Sequence, residues 1–454
     1  MAPTENWSGR MAFILASIGA AVGLGNIWKF PYTLGSSGGS AFMLIYLLAI
    51  FLIAAPIMMS EMVIGRRAQR SAPTAMRDMA IASNASPNWT ILGWMGLFAV
   101  FLVFSFYSVI AGWSVAFLFK SITGSLSGLT PEQVGSHFGA FLADPIPMTL
   151  WHFGFTAVTV LIVCRGIQHG LEPIVKVLMP ALFFTLGALV IYAGFTGDFA
   201  QAMTFLFQPD FSLITSSVVL AAAGQAFFSV NVGIGAVVTY SAYLPKDVNL
   251  SRSAITITIG DTLVAMLAGL AIFPIVFANG LDPAEGPGLV FVTLSTAFAS
   301  MTGGAIIGAA FFLMLLFAAL TSAISMLEMT TARAIENDRF SRPQAAVLLG
   351  TCTFLFGIVT VLSFSSWSDV HLLGMFETFA GKTPFDLIDY LVSNLIMPIG
   401  GVAYVLFAGW WINREVLVEE LGMGDGLAFK FWLALAKVVA PVAIGMVFYF
   451  NLTA

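Results

Sequence analysis

The sequence predicts an all-α polytopic membrane protein built in two halves around two broken helices, and three observations carry that expectation. Of its 454 residues, 59% are hydrophobic and only 9% charged, at a mean hydropathy of +0.95, which excludes a soluble globular domain. The apolar runs are about twenty residues or longer and do not alternate, so they read as spanning helices rather than barrel strands. Two of these runs carry glycines and polar residues in mid-span, one at the head of each half.

The first interruption is Gly19-Ala20-Ala21-Val22-Gly23-Leu24-Gly25-Asn26-Ile27-Trp28-Lys29-Phe30-Pro31, inside an apolar run that starts near Met11. Unwound backbone at membrane depth is tolerated only inside protein or along a cavity, because each unsatisfied N–H or C=O costs several kcal/mol. Its freed carbonyls suit a cation and its freed N–H groups a carboxylate. Close packing by glycine is the plainer reading of the same residues. The second interruption, Gly224-Gln225-Ala226-Phe227-Phe228-Ser229-Val230-Asn231-Val232-Gly233-Ile234-Gly235, turns the balance, since paired Gly-broken segments mark the site of an inverted-repeat carrier.

In order, spans are expected near 11–33, 41–65, 91–120, 148–164, 174–196, 213–240, 254–279, 305–335, 344–364, 387–412 and 428–450, about eleven in all. The stretch 280–304, with Asn279-Gly280 and Pro287-Gly288, is expected to hold short re-entrant or surface helices. Residues 1–454 then form one transmembrane domain, with halves at about 11–196 and 213–412 and an extra C-terminal helix at about 428–450. No removable signal peptide is expected, because no basic region and small-residue cleavage site precede the first span.

Arg10, Arg66, Arg67, Arg70, Arg77, Arg165, Arg252, Arg333, Arg342 and Arg414 fall on the side of the N-terminus, whereas the other side receives only Lys29, Lys120 and Lys382. The positive-inside rule places that N-terminus in the cytoplasm and, with eleven spans, Ala454 outside. Lys437 falls within the last span and is expected to snorkel. Cys164 and Cys352 are the only cysteines, which leaves no disulfide framework or cysteine metal site and suggests buried, inert thiols. Nothing points to a nucleic-acid partner. His137, His152, His169 and His371 lie at loops or span ends with no acid at a pairing distance in sequence, so an intramembrane hydrolase lacks its base.

Asn26, Ser229 and Asp261 are oxygen-bearing side chains in apolar spans, and hard cations take oxygen ligands. Interhelical hydrogen bonding is the alternative for Asn26 and Ser229, less so for an intramembrane acid. Thr321 and Ser322 sit side by side in another apolar run, where a hydroxyl also bonds back to the carbonyl four residues earlier. Tyr107 and Phe228 read equally as packing aromatics.

Three motifs, Gly23-Leu24-Gly25-Asn26-Ile27-Trp28-Lys29-Phe30-Pro31-Tyr32, Gly224-Gln225-Ala226-Phe227-Phe228-Ser229 and Ala318-Ala319-Leu320-Thr321-Ser322, make the chain closely resemble the neurotransmitter:sodium symporter family over nearly its whole length. The resemblance implies the 5+5 inverted-repeat, broken-helix fold of the bacterial leucine transporter and two sodium ions as co-substrates. The first ion is assigned by it to Ala21, Asn26, Ser229, Asp261 and the carboxylate of the substrate. Gly19, Val22, Ala318, Thr321 and Ser322 are implied for the second, which staples the broken first helix to the eighth. The substrate is placed among Ala20, Ala21, Leu24, Gly25, Val103, Tyr107, Phe228, Ser229, Asn231, Ile234, Ser322 and Met326, with the Gly25 N–H and Tyr107 hydroxyl on its carboxylate and Phe228 as a lid.

Gly23 stands where monoamine-transporting relatives carry an aspartate, so the resemblance favours an amino acid. An apolar wall of Val103, Ile234 and Met326 separates neighbouring side chains by only about 1–3 kcal/mol per methylene, so broad specificity is expected. Asn231 departs from the small residues usual at its position and suits either a polar substrate tip or the unwound backbone. Lys29, arginine in most relatives, is paired by resemblance with Asp389 rather than Asp386 as an outer gate. On the inner side Trp7 matches, Thr4 replaces a usual cation, and Glu336 is the remaining acid.

Gly170 and Pro180 bracket the start of the fifth span. A static kink is one reading, and the family's water-admitting unwinding of that span is the other. Tyr46, Gln225 and Ser229 match three anion ligands of chloride-dependent relatives, but the fourth position is Ala265, one turn from Asp261. The expectation is a sodium-coupled importer of neutral, hydrophobic or small L-amino acids in the inner membrane. It would need no chloride, and proton counter-transport is open to it. The alternatives are an ion channel, since broken helices also line pores, and a sodium symporter for another zwitterion such as a non-alpha amino acid.

Overall fold

The computed structural model describes residues 6–284, 288–336 and 339–453, so Thr4, Glu285, Pro287 and Ala454 lie outside the described residues. No strand occurs among those described. Among the described residues, nine helices are long and apolar enough to cross a bilayer: Ser40–Ala68, Pro87–Ile122, Pro145–Val163, Ile167–Thr196, Leu250–Ala278, Gly304–Ile335, Arg342–Phe364, Pro384–Trp410 and Leu427–Tyr449. A tenth span is the pair Arg10–Ala21 and Gly25–Ser36, bent by 49° at its break. Ser216–Ser229 and Ala236–Ala242, separated by a second break, take the sixth place in order and bring the spans to eleven.

Burial separates a centre from a periphery. In the most apolar window of the third span, Pro87–Ile122, 83% of residues are inside the protein, against 28% for the fifth, Ile167–Thr196, and 33% for the last. The third and eighth spans pack along each other, and the first span runs against the fifth, seventh and eighth, so both breaks lie at the centre of the bundle. An uninterrupted apolar run reads the same whether it faces lipid or protein, which is why the cysteines depart from expectation. Cys352 is exposed on the ninth span and Cys164 is only half-buried, both free.

Some details of the spans depart from expectation and others match it. The fifth span begins at Ile167, earlier than the hydropathy suggested, because Ile167–Leu171 forms a wide π turn that carries polar Gln168 and His169. The stretch after the seventh span holds the helix Leu289–Ser300, as its Gly/Pro punctuation suggested. His152 lies within the fourth span, buried, with its ring Nε2 3.1 Å from the Phe354 carbonyl. Lys437 places its ammonium 4.9 Å over the Trp410 ring, a cation–π contact at the end of the tenth span.

Candidate functional site

The first helix breaks at Val22 and Gly23, and at Gly23 there is no room for a side chain. A Cβ on Gly23 would lie 2.5 Å from Ser322 Oγ and 2.6 Å from Tyr107 Oη. The sixth break is built on residues in the left-handed region: Asn231 at φ 57°, Gly233 at φ 89° and Gly235 at φ 75°. A Cβ on Gly400 of the tenth span would lie 1.8 Å from the Gly233 carbonyl oxygen, so two glycines permit backbone to meet backbone.

Backbone freed by the sixth break is satisfied by a residue the sequence reading passed over. The Gly233 N–H donates to Glu61 Oε1 at 2.6 Å, and Glu61 is wholly buried in the second span. The available signal was the acid itself, placed inside an apolar run. Beside it the other break is held from outside too: Gln225 Nε2 donates to the Gly25 carbonyl at 2.8 Å.

Between the breaks, three wholly buried side chains converge. Asn26 Nδ2 lies 2.8 Å from Asp261 Oδ1 and 2.9 Å from Ser229 Oγ, while Ser229 donates to Asp261 Oδ2 at 2.5 Å. Ala21 closes the first half-helix next to this cluster in sequence. Among the described residues, Asp261 has no Lys or Arg within ion-pair distance, so its carboxylate is held by neutral donors alone. That donor set fits a hard monovalent cation: a carboxylate, a hydroxyl and an amide whose half-turn about χ2 exchanges nitrogen for oxygen. Tyr46 Oη lies 3.0 Å from Ser229 Oγ, and wholly buried Ala265 sits one turn beyond Asp261.

The second set spans two helices. Ser322 Oγ lies 3.1 Å from the Gly19 carbonyl oxygen and 3.0 Å from that of Val22, and so bridges the eighth span to the broken first. Thr321 instead donates back to Phe317 and Ala318 of its own helix, each at 3.1 Å. A Cβ on Gly19 would lie 3.0 Å from Thr321 Cβ, so the two helices touch where these oxygens gather.

The residues assigned to substrate line the same region. Tyr107 Oη accepts the Leu24 N–H at 3.2 Å, and Gly25 faces the Phe228 ring, 3.0 Å from where its Cβ would be. Val103 lies one turn before Tyr107 on the third span, Met326 one turn after Ser322 on the eighth, and Ile234 in the sixth break, all three buried. Asn231 reaches the Ala20 carbonyl with its amide nitrogen at 3.4 Å.

Above Phe228, Lys29 Nζ sits 4.2 Å from the ring centroid and 3.8 Å from Asp389 Oδ1. Asp386 is used elsewhere: it pairs with Thr383 in a capping box at the start of the tenth span. Gly170 belongs to the wide turn of the fifth span, and a Cβ there would fall 2.2 Å from the Ile162 carbonyl oxygen; Pro180 lies within the helix that follows.

At the opposite end Trp7 donates its indole N–H to the Tyr240 carbonyl at 3.1 Å and packs edge-on to Tyr240 and Tyr243. Tyr243 donates to Glu328 at 2.9 Å, and Arg342 pairs with the same carboxylate at 2.6 Å. These contacts thus lie at the two ends of the bundle, on either side of the two oxygen-bearing clusters.

Residues 4–133 and 146–454 match the model of the Sodium:neurotransmitter symporter family. The chain belongs to that family. It is 40% identical over 445 residues to an uncharacterized sodium-dependent transporter of Bacillus subtilis, YhdH, covering 97% of this chain and 96% of the relative. An uncharacterized sodium-dependent transporter of Haemophilus influenzae is 33% identical over 455 residues, covering 99% and 98%. A crystal structure of MhsT in complex with L-phenylalanine superposes with a TM-score of 0.91 at 42% identity, covering 98% of this chain and 99% of that one. This symporter-family chain is therefore a multi-pass membrane transporter and not an enzyme.

Proposed function

We propose that this transporter couples inward movement of two sodium ions to uptake of neutral, hydrophobic or small L-amino acids by alternating access. The observation that carries the reading is a buried carboxylate, Asp261, with no cationic partner among the described residues, ringed by Asn26 and Ser229 beside a break whose Gly23 leaves no room for a second acid. A cation and a substrate bringing its own carboxylate complete that charge arrangement. The ions would sit at Ala21, Asn26, Ser229 and Asp261, and at Gly19, Val22, Ala318, Thr321 and Ser322. The substrate would lie against Ala20, Leu24, Gly25, Val103, Tyr107, Phe228, Asn231, Ile234 and Met326.

Lys29 and Asp389 act as the outer gate in this reading, and Gly170 with Pro180 as the soft start of the fifth span. Asp261 takes the place of chloride and, once sodium leaves, accepts a proton that travels outward on the return leg. The concentration of Arg at the Trp7 end supports a cytoplasmic N-terminus, an outer C-terminus and one domain in the bacterial inner membrane. The relative crystallised with L-phenylalanine supports an amino acid as cargo.

Reconstitution into liposomes tests the proposal: an imposed inward sodium gradient should drive saturable accumulation of labelled L-amino acids. Conductance without accumulation would make the protein a channel. Uptake of a non-alpha zwitterion in preference to L-amino acids would move the cargo to that class.

A further inference from the structure

We infer that Glu172 of the fifth span, rather than Glu336 of the eighth, latches the inner end of the first span shut in this chain. Glu336 is already engaged: it accepts from the Ser71 N–H at 3.2 Å, the Ser71 hydroxyl at 2.5 Å and the Thr74 hydroxyl at 2.7 Å, and pairs with Arg333 at 3.4 Å. No bond from it to residues 6–9 occurs among the described residues, and the position where relatives carry a cation holds Thr4.

The segment that leads into the first helix is tied to the fifth span instead, at consecutive turns. Gln168 Nε2 donates to the Asn6 carbonyl at 2.9 Å. Ser8 gives both its N–H, at 3.0 Å, and its hydroxyl to the two oxygens of Glu172. Lys176, one turn on, pairs with Glu172 at 2.6 Å and donates to Ser8 Oγ at 3.3 Å.

Electrostatics make this carboxylate a strong holder. Gly9 caps the helix Arg10–Ala21 without a side chain, so the negative charge at that N-terminus comes from Glu172, which is also the first residue of the helix Glu172–Thr196. The Glu172 carboxylate thus supplies the charge that the N-terminus of the first helix lacks. Glu172 is 4% exposed with Ser8 in place, and departure of Ser8 removes two of its hydrogen bonds and leaves Lys176 as its ion-pair partner. Because the side chain of Lys176 is half exposed, that state is costly yet reachable, as a latch that must reopen requires.

The latch acts on the cation set through the same pair of helices. Further along, a Cβ on Gly19 would lie 3.1 Å from Met179 Sδ of the fifth span, and the Gly19 carbonyl belongs to the set bridged by Ser322. The wide turn Ile167–Leu171, directly before Glu172, gives the fifth span a soft end at the point where the first is fastened. Release at Ser8 frees the first half-helix from the fifth span and opens the inner path to those oxygens. The inference rests on the alternating-access reading.

Hydrogen exchange read by mass spectrometry on the full-length protein in detergent tests it. Glu172→Ala should speed amide exchange in residues 10–19 about tenfold or more, as expected for loss of charge-assisted hydrogen bonds. Ser8→Ala should give a smaller rise, and the double variant should not exceed Glu172→Ala, because both act on one contact. Exchange in the seventh span should stay at the wild-type rate in all three. Unchanged exchange in residues 10–19 of Glu172→Ala, or a rise produced by Glu336→Gln alone, would overturn the assignment. Should Glu172→Ala loosen the seventh span too, Ser8→Ala decides, since Ser8 is exposed and its loss does not threaten the fold. Wild-type liposomes that fail to accumulate substrate would sink the transport reading while leaving the exchange result standing.

Discussion

Ser229 donates a hydrogen bond from its hydroxyl to Asp261 Oδ2 across 2.5 Å, and neither residue is exposed. The hydroxyl that would hold an anion in a chloride-dependent relative is here committed to a carboxylate of the protein. Sodium-driven uptake is expected to be unchanged when gluconate replaces chloride. In an Asp261→Asn, Ala265→Ser double variant, chloride dependence should appear. Collapse of wild-type uptake without chloride would sink the idea.

Ser322 and Thr321 are expected to contribute unequally to sodium use. Ser322 bridges Gly19 and Val22 across helices, whereas Thr321 bonds to its own helix. Ser322→Ala should raise the sodium concentration for half-maximal uptake by about tenfold or more, Thr321→Ala by less, and the double variant should abolish sodium-driven uptake while the protein still elutes as a folded species. Undiminished sodium dependence in the double variant would remove both residues from the site.

Gly23 should exclude amines that lack a carboxylate. In a scintillation-proximity competition panel, several apolar or small neutral L-amino acids are expected to displace the label and monoamines are not. Gly23→Asp should lose amino-acid binding without gaining monoamine binding, because the new side chain would press on Ser322 and Tyr107. Tight monoamine binding to the wild type would contradict the argument.

The Lys29–Asp389 pair is partly solvated, with side chains 20% and 35% exposed, so its contribution is about 1 kcal/mol or less. Asp389→Asn should therefore speed outward release of bound label by about fivefold at most, an effect that shrinks at high salt. Complete loss of binding would show that Asp389 does more than close the gate.

The architecture was legible because hydrocarbon allows few solutions, and a glycine cluster within a span has few explanations. Asp389 was preferred to Asp386 by family resemblance alone, and the structure shows Asp386 engaged with Thr383 in a capping box. Glu61 was overlooked because its carboxylate answers to a backbone N–H of the sixth break, a partner 172 positions away that no periodicity encodes. Glu172 escaped for a related reason: its contacts are made with residues 164 positions earlier, in a segment too short and polar to read as part of the bundle. The cysteines were misplaced because hydropathy does not tell lipid from protein.

The burial of Asp261 has a consequence for membrane voltage. A chloride-using carrier imports its counter-charge and releases it, whereas a carboxylate fixed in the seventh span makes both crossings. Under the proposed cycle the loaded form carries the two imported positive charges on top of that fixed one, and the returning form, once protonated, has its carboxylate neutralised. Because a potential of 100 mV acts on each elementary charge with about 2.3 kcal/mol, the inside-negative potential would pull the net-positive loaded form inward and leave the neutral returning form unaffected. The membrane potential would then act on turnover through the loaded step, beside the sodium gradient.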